Sequence, residues 1–233
     1  MATIATGLQA RLSAVRERIG AACSAASRNS DSVTLLAVSK TFAADAVREA
    51  AAAGQREFGE NYVQEALDKV SATRDLGLSW HFIGPIQSNK TRPIAEHFDW
   101  VHSVDREKIA RRLSEQRPEG LPPLNVCIEV NVSGEASKSG IAPSELAALA
   151  RTMAQLPRLR LRGLMAIPEP TEDMALQRRR FAELRGLKEA LAREGIVLDT
   201  LSMGMSADLE AAIAEGATIV RIGTAIFGER TKA

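Results

Sequence analysis

The sequence predicts a (β/α)8 barrel with an extra helix ahead of the first strand. Three observations carry that expectation. Eight short β-like runs alternate with helical stretches, and strands joined through helices pair in parallel by right-handed crossovers. Most of those runs are apolar on both faces, as parallel strands covered by helices must be. Eight such units in about 200 residues match a barrel near its lower size limit. A doubly wound open sheet built from the same units is the alternative topology.

Residues 3–27 repeat apolar side chains at Ile4, Leu8, Leu12, Val15, Ile19 and Cys23, a spacing that lines one face of a helix. The strand runs follow: "VTLLAVS" (33–39), "REFGE" (56–60), "WHFIG" (80–84) and "WVHS" (100–103). The second half supplies "LNVCIEVNV" (124–132), "RLRGLMAI" (160–167), "LDTLSM" (198–203) and "TIVRIG" (218–223). Helical patterns fall between them at 45–53, 62–73, 90–97, 106–117, 143–156, 172–194 and 206–215. Gly54, Gly195 and Gly216 close three of these where a left-handed C-cap belongs. The eighth run leaves only ten residues after it, too few for a full covering helix. The early helix fills that gap in the ring, which favours closure over an open sheet. No repeat, low-complexity segment or linker interrupts the pattern, so 1–233 reads as one barrel domain with residues 1–30 as a helix against it.

A chain of 233 residues that is 45% hydrophobic and 25% charged fills a sizeable core. Thirty basic side chains face 29 acidic ones, so a nucleic-acid backbone, which selects a basic stripe, is an unsuitable partner. The "RRR" run at 178–180 reads as a solvated helix face. Cys23 and Cys127 are the only cysteines. Cys127 sits in an apolar run as a small core residue, and two isolated cysteines point to a reducing compartment rather than a disulfide framework. The N-terminus lacks the apolar stretch of a secretory signal, and no run reaches membrane-spanning length. A soluble, cytoplasmic protein is expected.

Chemistry in a parallel barrel belongs at the C-terminal ends of the strands. Those ends carry Lys40, Glu60 with Asn61, Gly84, Ser103, Asn131, residues 165–167, residues 202–206, and Gly223 with Thr224. "SMGMSADLEAAIAEG" sets Ser206 before an apolar helical face, where it serves either as a plain N-cap or as part of an anion site. "RIGTAIFG" adds Gly223 and Thr224 at the neighbouring strand end, with Arg221 two residues earlier. Phosphate sites recur after strands seven and eight of this barrel. A phosphate site and a strand-one lysine on one rim fit a phosphorylated aldehyde, of which pyridoxal 5′-phosphate (PLP) is the common one. Lysine holds it as a Schiff base.

The segments "LLAVSKT", "FGENYVQE", "WHFIGPIQSNK", "NVSGEASKSG", "GLMAI" and "LSMGMSADLEAAIAEGATIVRIGTAIFG" occur in order from Leu35 to Gly228. Together they closely resemble the YggS/PROSC family of PLP homeostasis proteins, related to the barrel domain of alanine racemase. The resemblance implies that Lys40 forms the Schiff base and that Ser206, Gly223 and Thr224 hold the phosphate. It implies Arg221 on the pyridine-nitrogen side, with Asn61 and Met165 against the ring. The implied role is to buffer PLP as a monomer and pass it to apo PLP-dependent enzymes, without catalysis.

Two enzymes are the rivals. An amino-acid racemase needs a second base, which related racemases take as a tyrosine from another domain; this chain has one tyrosine, Tyr62. A Schiff-base lyase acting through Lys40 alone has no use for two phosphate turns. His81, His97 and His102 lie too far apart in sequence for a metal cluster, and His81 reads as a strand histidine satisfied by backbone. The loop 131–140 is either a connector or a lid, and its Lys138 is the only other lysine considered for PLP attachment.

Overall fold

The computed structural model describes residues 7–134 and 139–229. Ile4 and Lys138 therefore lie outside the described residues. Eight parallel strands close into a barrel in sequence order: β1 (Thr34–Val38), β2 (Glu57–Glu60), β3 (Ser79–Phe82), β4 (Trp100–Val104), β5 (Leu124–Glu129), β6 (Leu159–Met165), β7 (Thr200–Ser202) and β8 (Ile219–Ile222). β8 returns to pair with β1, Leu36 opposite Arg221, so the open doubly wound sheet is excluded.

The helices are α1 (Gly7–Ala25), α2 (Ala44–Ala52), α3 (Val63–Ala72), α4 (Thr91–His97), α5 (Glu107–Gln116), α6 (Leu146–Ala154), α7 (Met174–Arg193), α8 (Leu209–Ala214) and α9 (Thr224–Phe227). They follow the sequence-predicted spans within a few residues, and Gly54, Gly195 and Gly216 carry φ of +84°, +86° and +95°, as the C-caps require. None of the described helices is long and apolar enough to cross a membrane.

α1 buries Leu8, Leu12, Val15, Ile19, Ala22 and Cys23 against α2, α8 and α9. It occupies the gap that the single turn of α9 leaves in the helical ring. β1 shows how the barrel sorts side chains. Ala37 joins the large core between strands and helices, whereas Leu36 and Val38 join Ile83 and Ile219 in a separate cluster inside the barrel. The period of two along a strand produces both.

Arg180 departs from the solvated face predicted for residues 178–180. Its side chain is only 13% exposed and bonds the Glu169 carboxylate and carbonyl, while Arg178 pairs with the buried Glu215. The loop after β5 is pinned at its base, with Asn131 N–H donating to Ile141 O and Ile141 N–H to Glu129 O.

Because α1 completes the ring, Leu12→Ala should cost about 2–5 kcal/mol, the usual range for a buried leucine truncation. Urea unfolding measures it. A loss below about 1 kcal/mol would mean that α1 is only an appendage.

Candidate functional site

A cavity of about 280 Å³ opens at the C-terminal ends of the strands, lined by Lys40, Asn61, Ser206, Ala207, Arg221, Gly223 and Thr224 among others. Val38, Phe42, Ile83 and Ile167 supply its apolar wall. Its size lies just under the ~300–1,000 Å³ of small-molecule sites. Six of the seven residues singled out from the sequence line it. Met165 does not: it is fully buried, and Ile167, two residues further on the same strand face, takes the expected place.

Lys40 follows β1 and is held by the chain on both sides of it. The Lys69 ammonium, itself buried, donates to Ser39 O and to Glu60 Oε1, each at 2.7 Å. Ser39 Oγ–H donates to the same Glu60 oxygen at 2.6 Å. Beyond Lys40, Thr41 N–H donates to Glu65 Oε1, which also takes Lys69. Thr41 adopts φ of +69°, a conformation costly for a non-glycine residue, and that bond helps fix it. Burial pushes the Glu60 carboxyl above its ordinary range against the pull of Lys69 and Ser39.

Asn61 caps β2 at the rim. Gly84 makes room for it, since a Cβ there would lie 2.3 Å from Asn61 O. The Asn61 Oδ1 atom is buried without a protein hydrogen-bond partner, yet its residue faces the cavity. An acceptor left in that state is suited to a ligand's donor.

The predicted helix at 206–215 starts later, at Leu209, so Ser206 is not its N-cap. Residues 205–208 form a tight turn instead, closed by Met205 N–H donating to Asp208 Oδ1 at 2.6 Å. Gly204 enters that turn with φ of +93°, and a Cβ there would meet Ala212 Cβ at 2.5 Å. The turn presents Ser206 and Ala207 to the cavity beside Gly223 and Thr224. Two adjacent turns that offer N–H and hydroxyl donors could together cradle an anion.

Arg221 is buried beneath the mouth. Its Nη1 donates to Ser202 O and Ser202 Oγ at 2.7 and 2.8 Å, and its Nη2 to Ala166 O at 2.9 Å. Burial lowers its pKa to about 10 against the attraction of Asp208 and Glu129, so it remains a cation at neutral pH. Ser202 Oγ accepts from Arg221 and shares a second hydrogen bond, of 2.7 Å, with His102 Nδ1. Burial, reinforced by His81 and Arg221, holds His102 well below the ordinary histidine range and therefore neutral. His102 Nε2 and His81 Nδ1 share a hydrogen bond of 2.8 Å, and His81 Nε2 is bonded to Glu57 Oε2 at 2.7 Å. A hydrogen-bond chain thus crosses the barrel from Arg221 to Glu57. Burial opposes the Glu57 charge, but bonds from His81 and Ser79 outweigh it and keep the carboxyl below its ordinary range.

These contacts correct the sequence expectation for the histidines. His81 and His102 touch, and side chains rather than backbone satisfy His81. No group of three potential metal ligands occurs among the described residues. Glu57 and Lys69 were missed from sequence; a charged residue inside a strand run was the available signal for Glu57, whereas Lys69 lies on α3 and offered none.

A (β/α)8 barrel with a lysine, a buried arginine and a two-turn anion cradle around one cavity defines a binding protein for a phosphorylated carbonyl compound. Residues 11–231 match the model of the alanine racemase N-terminal domain. The chain is 67% identical over 230 residues to the pyridoxal phosphate homeostasis protein of Pseudomonas aeruginosa, covering 99% of this chain and 97% of that one. It is 57% identical over 227 residues to that of Vibrio cholerae, covering 96% of each. PipY of Synechococcus elongatus, whose structure was solved with PLP bound, superposes with a TM-score of 0.83 at 40% identity, over 95% of this chain and 100% of that one. The chain belongs to the pyridoxal phosphate homeostasis family, within the alanine racemase N-terminal domain fold.

Glu129, buried at the end of β5, has its pKa pushed up to about 7 by burial first and Asp105 second, with Arg221 opposing. A raised carboxyl pKa means that the folded state binds more protons than the unfolded state between about pH 4.5 and 7. Its contribution to stability therefore falls as pH rises through that window and is flat above it. Thermal unfolding of Glu129→Gln against the parent should show the variant gaining relative stability from pH 5 to 8. A constant difference across that range would contradict the assignment.

Proposed function

We propose that this protein binds PLP covalently and reversibly through Lys40 and serves in PLP and amino-acid homeostasis without turnover of its own. One juxtaposition supports it above all: an amine, an unpartnered carbonyl oxygen, a buried cation and a two-turn anion cradle meet in one cavity. PLP contributes an aldehyde that condenses reversibly with a primary amine and a ring that acts as an electron sink when its nitrogen is protonated.

Lys40 would present the amine, with Lys69, Glu60 and Glu65 fixing the backbone around it. Ser206, Ala207, Gly223 and Thr224 would bind the phosphate, a dianion for the most part near neutral pH. Asn61 would accept from the ring's polar substituents. Arg221, approaching from the ring-nitrogen side, would disfavour a proton on that nitrogen by like-charge repulsion and so weaken the electron sink. The cavity's lining among the described residues includes no histidine, carboxylate or tyrosine. Tyr62 is 57% exposed and lies outside that lining. A racemase needs a base on each face of the substrate carbon, and among the described lining residues Lys40 is the one candidate.

The same reading makes residues 1–233 one working unit, a monomer of the cytoplasm that gives PLP up to apo PLP-dependent enzymes. Its buried, unpaired cysteines suit a reducing compartment, and the cavity opens at the barrel mouth, where a reversible bond can be exchanged.

Borohydride treatment of the PLP-loaded protein should fix the mass of reduced PLP on the peptide containing Lys40. Lys40→Ala should lose that adduct while keeping the parent's unfolding midpoint within a few degrees, because a rim side chain contributes little to the core. A full adduct on another lysine in the variant would refute Lys40 as the attachment point.

A further inference from the structure

α1 is the element with least apparent business in the chemistry. It precedes the first strand, lies outside the barrel and contributes no residue to the cavity lining. Yet two of its arginines reach the far side of both turns of the anion cradle. Arg18 Nη1 donates to Ser206 O at 2.7 Å, and the rest of its guanidinium is fixed by Glu210, through Nε at 2.5 Å and Nη2 at 2.7 Å. The Glu210 bond, against the cost of burial, raises the Arg18 pKa. Arg11 Nε donates to Ile226 O at 2.7 Å, in the single turn that Gly223 O and Thr224 O close by accepting from Ile226, Phe227 and Gly228 N–H.

Seven residues separate the two arginines, about two helical turns, so they lie near one face roughly 10 Å apart. The peptide between Ser206 and Ala207 is trans, which points the Ala207 N–H opposite to the Ser206 carbonyl. With that carbonyl drawn outward to Arg18, the Ala207 N–H is aimed at the cavity that Ala207 lines. Arg11 holds the second turn from its far end: the Phe227 N–H opposite Ile226 O is spent on Gly223 O, so Arg11 fixes the direction of the turn as a whole rather than of one donor. We propose that Arg11 and Arg18 are positioning residues that set the specificity of the cavity for a phosphate monoester. They fix the donor directions of both turns from outside and do not touch the ligand. The proposal rests on the phosphate reading given under Proposed function.

Affinity for PLP and for pyridoxal, which lacks the phosphate, separates the two claims. If the parent does not prefer PLP, the phosphate reading itself fails before any variant is compared. If it does, Arg18→Ala and Arg11→Ala should each lower PLP affinity by about tenfold, as lost control of a charge-assisted donor would, with pyridoxal affinity unchanged. Inorganic phosphate should compete with PLP correspondingly less well in both variants. Arg18→Lys, which retains a donor for Ser206 O, should recover most of the preference and provides a milder change if the alanine variant fails to fold. Arg16→Ala is the control: Arg16 lies on the same helix but bonds Ala53 O and Gln55, away from the cavity. Parent-like preference in folded Arg11 and Arg18 variants would overturn the proposal. An equal loss for both ligands, or an equal loss in Arg16→Ala, would also overturn it by showing that α1 acts only through general stability.

Discussion

The constraint on which most of this structure depends is the burial of the Arg221 guanidinium. A cation removed from water costs several kcal/mol unless its donors are met, and here each partner comes from a different strand end. Ser202 closes β7 and Ala166 follows β6, so those strands must converge at one height beside β8. Ser202 in turn bonds His102, which bonds His81, which ends on the Glu57 carboxylate. A positive charge below the mouth is thereby linked to a negative one near the opposite end of the barrel through a continuous hydrogen-bond chain. Arg221 makes the cavity floor cationic at neutral pH.

The second fixed point is the backbone around Lys40. Lys69 sits on α3 but spends its ammonium on Ser39 O, Glu60 and Glu65, and Glu65 also takes the Thr41 N–H. Removing one partner of so buried a charge set is typically worth about 3–5 kcal/mol, so the segment carrying the amine is held far more firmly than an ordinary strand end. On the proposed reading, a lysine on a firm strand end and two turns fastened from behind by α1 would define a rigid span, which a ligand would match at its carbonyl and at its phosphate.

Much of this was legible in the sequence because it is written locally. Strand runs, helix-ending glycines and the polar residues at strand ends located the barrel, the rim, and Lys40, Asn61, Ser206, Arg221, Gly223 and Thr224 on it. The rest depends on closure, which sequence spacing does not express. His81 and His102 are 21 residues apart, and Ser202 another 100, yet a closed ring turns all three inward to meet. Lys69 carries no local signal of burial, because one of its two carboxylate partners lies on a strand and the other on its own helix. Met165 closes β6 fully buried, and Ile167, just past the strand, lines the cavity. The start of α8 was misjudged because Asp208, not Ser206, stands at its N-terminal boundary while its side chain closes the preceding turn.

The central claim is that the site holds its cofactor without using it, since Lys40 is the one candidate base among its described lining residues. Incubating the PLP-loaded protein with L- or D-alanine in deuterium oxide, with Lys40→Ala as control, measures this directly as deuterium gained at Cα. The account expects no inversion, and no exchange above that of free PLP. Exchange with inversion at enzyme-like rates, abolished in Lys40→Ala, would contradict it and make this barrel a racemase.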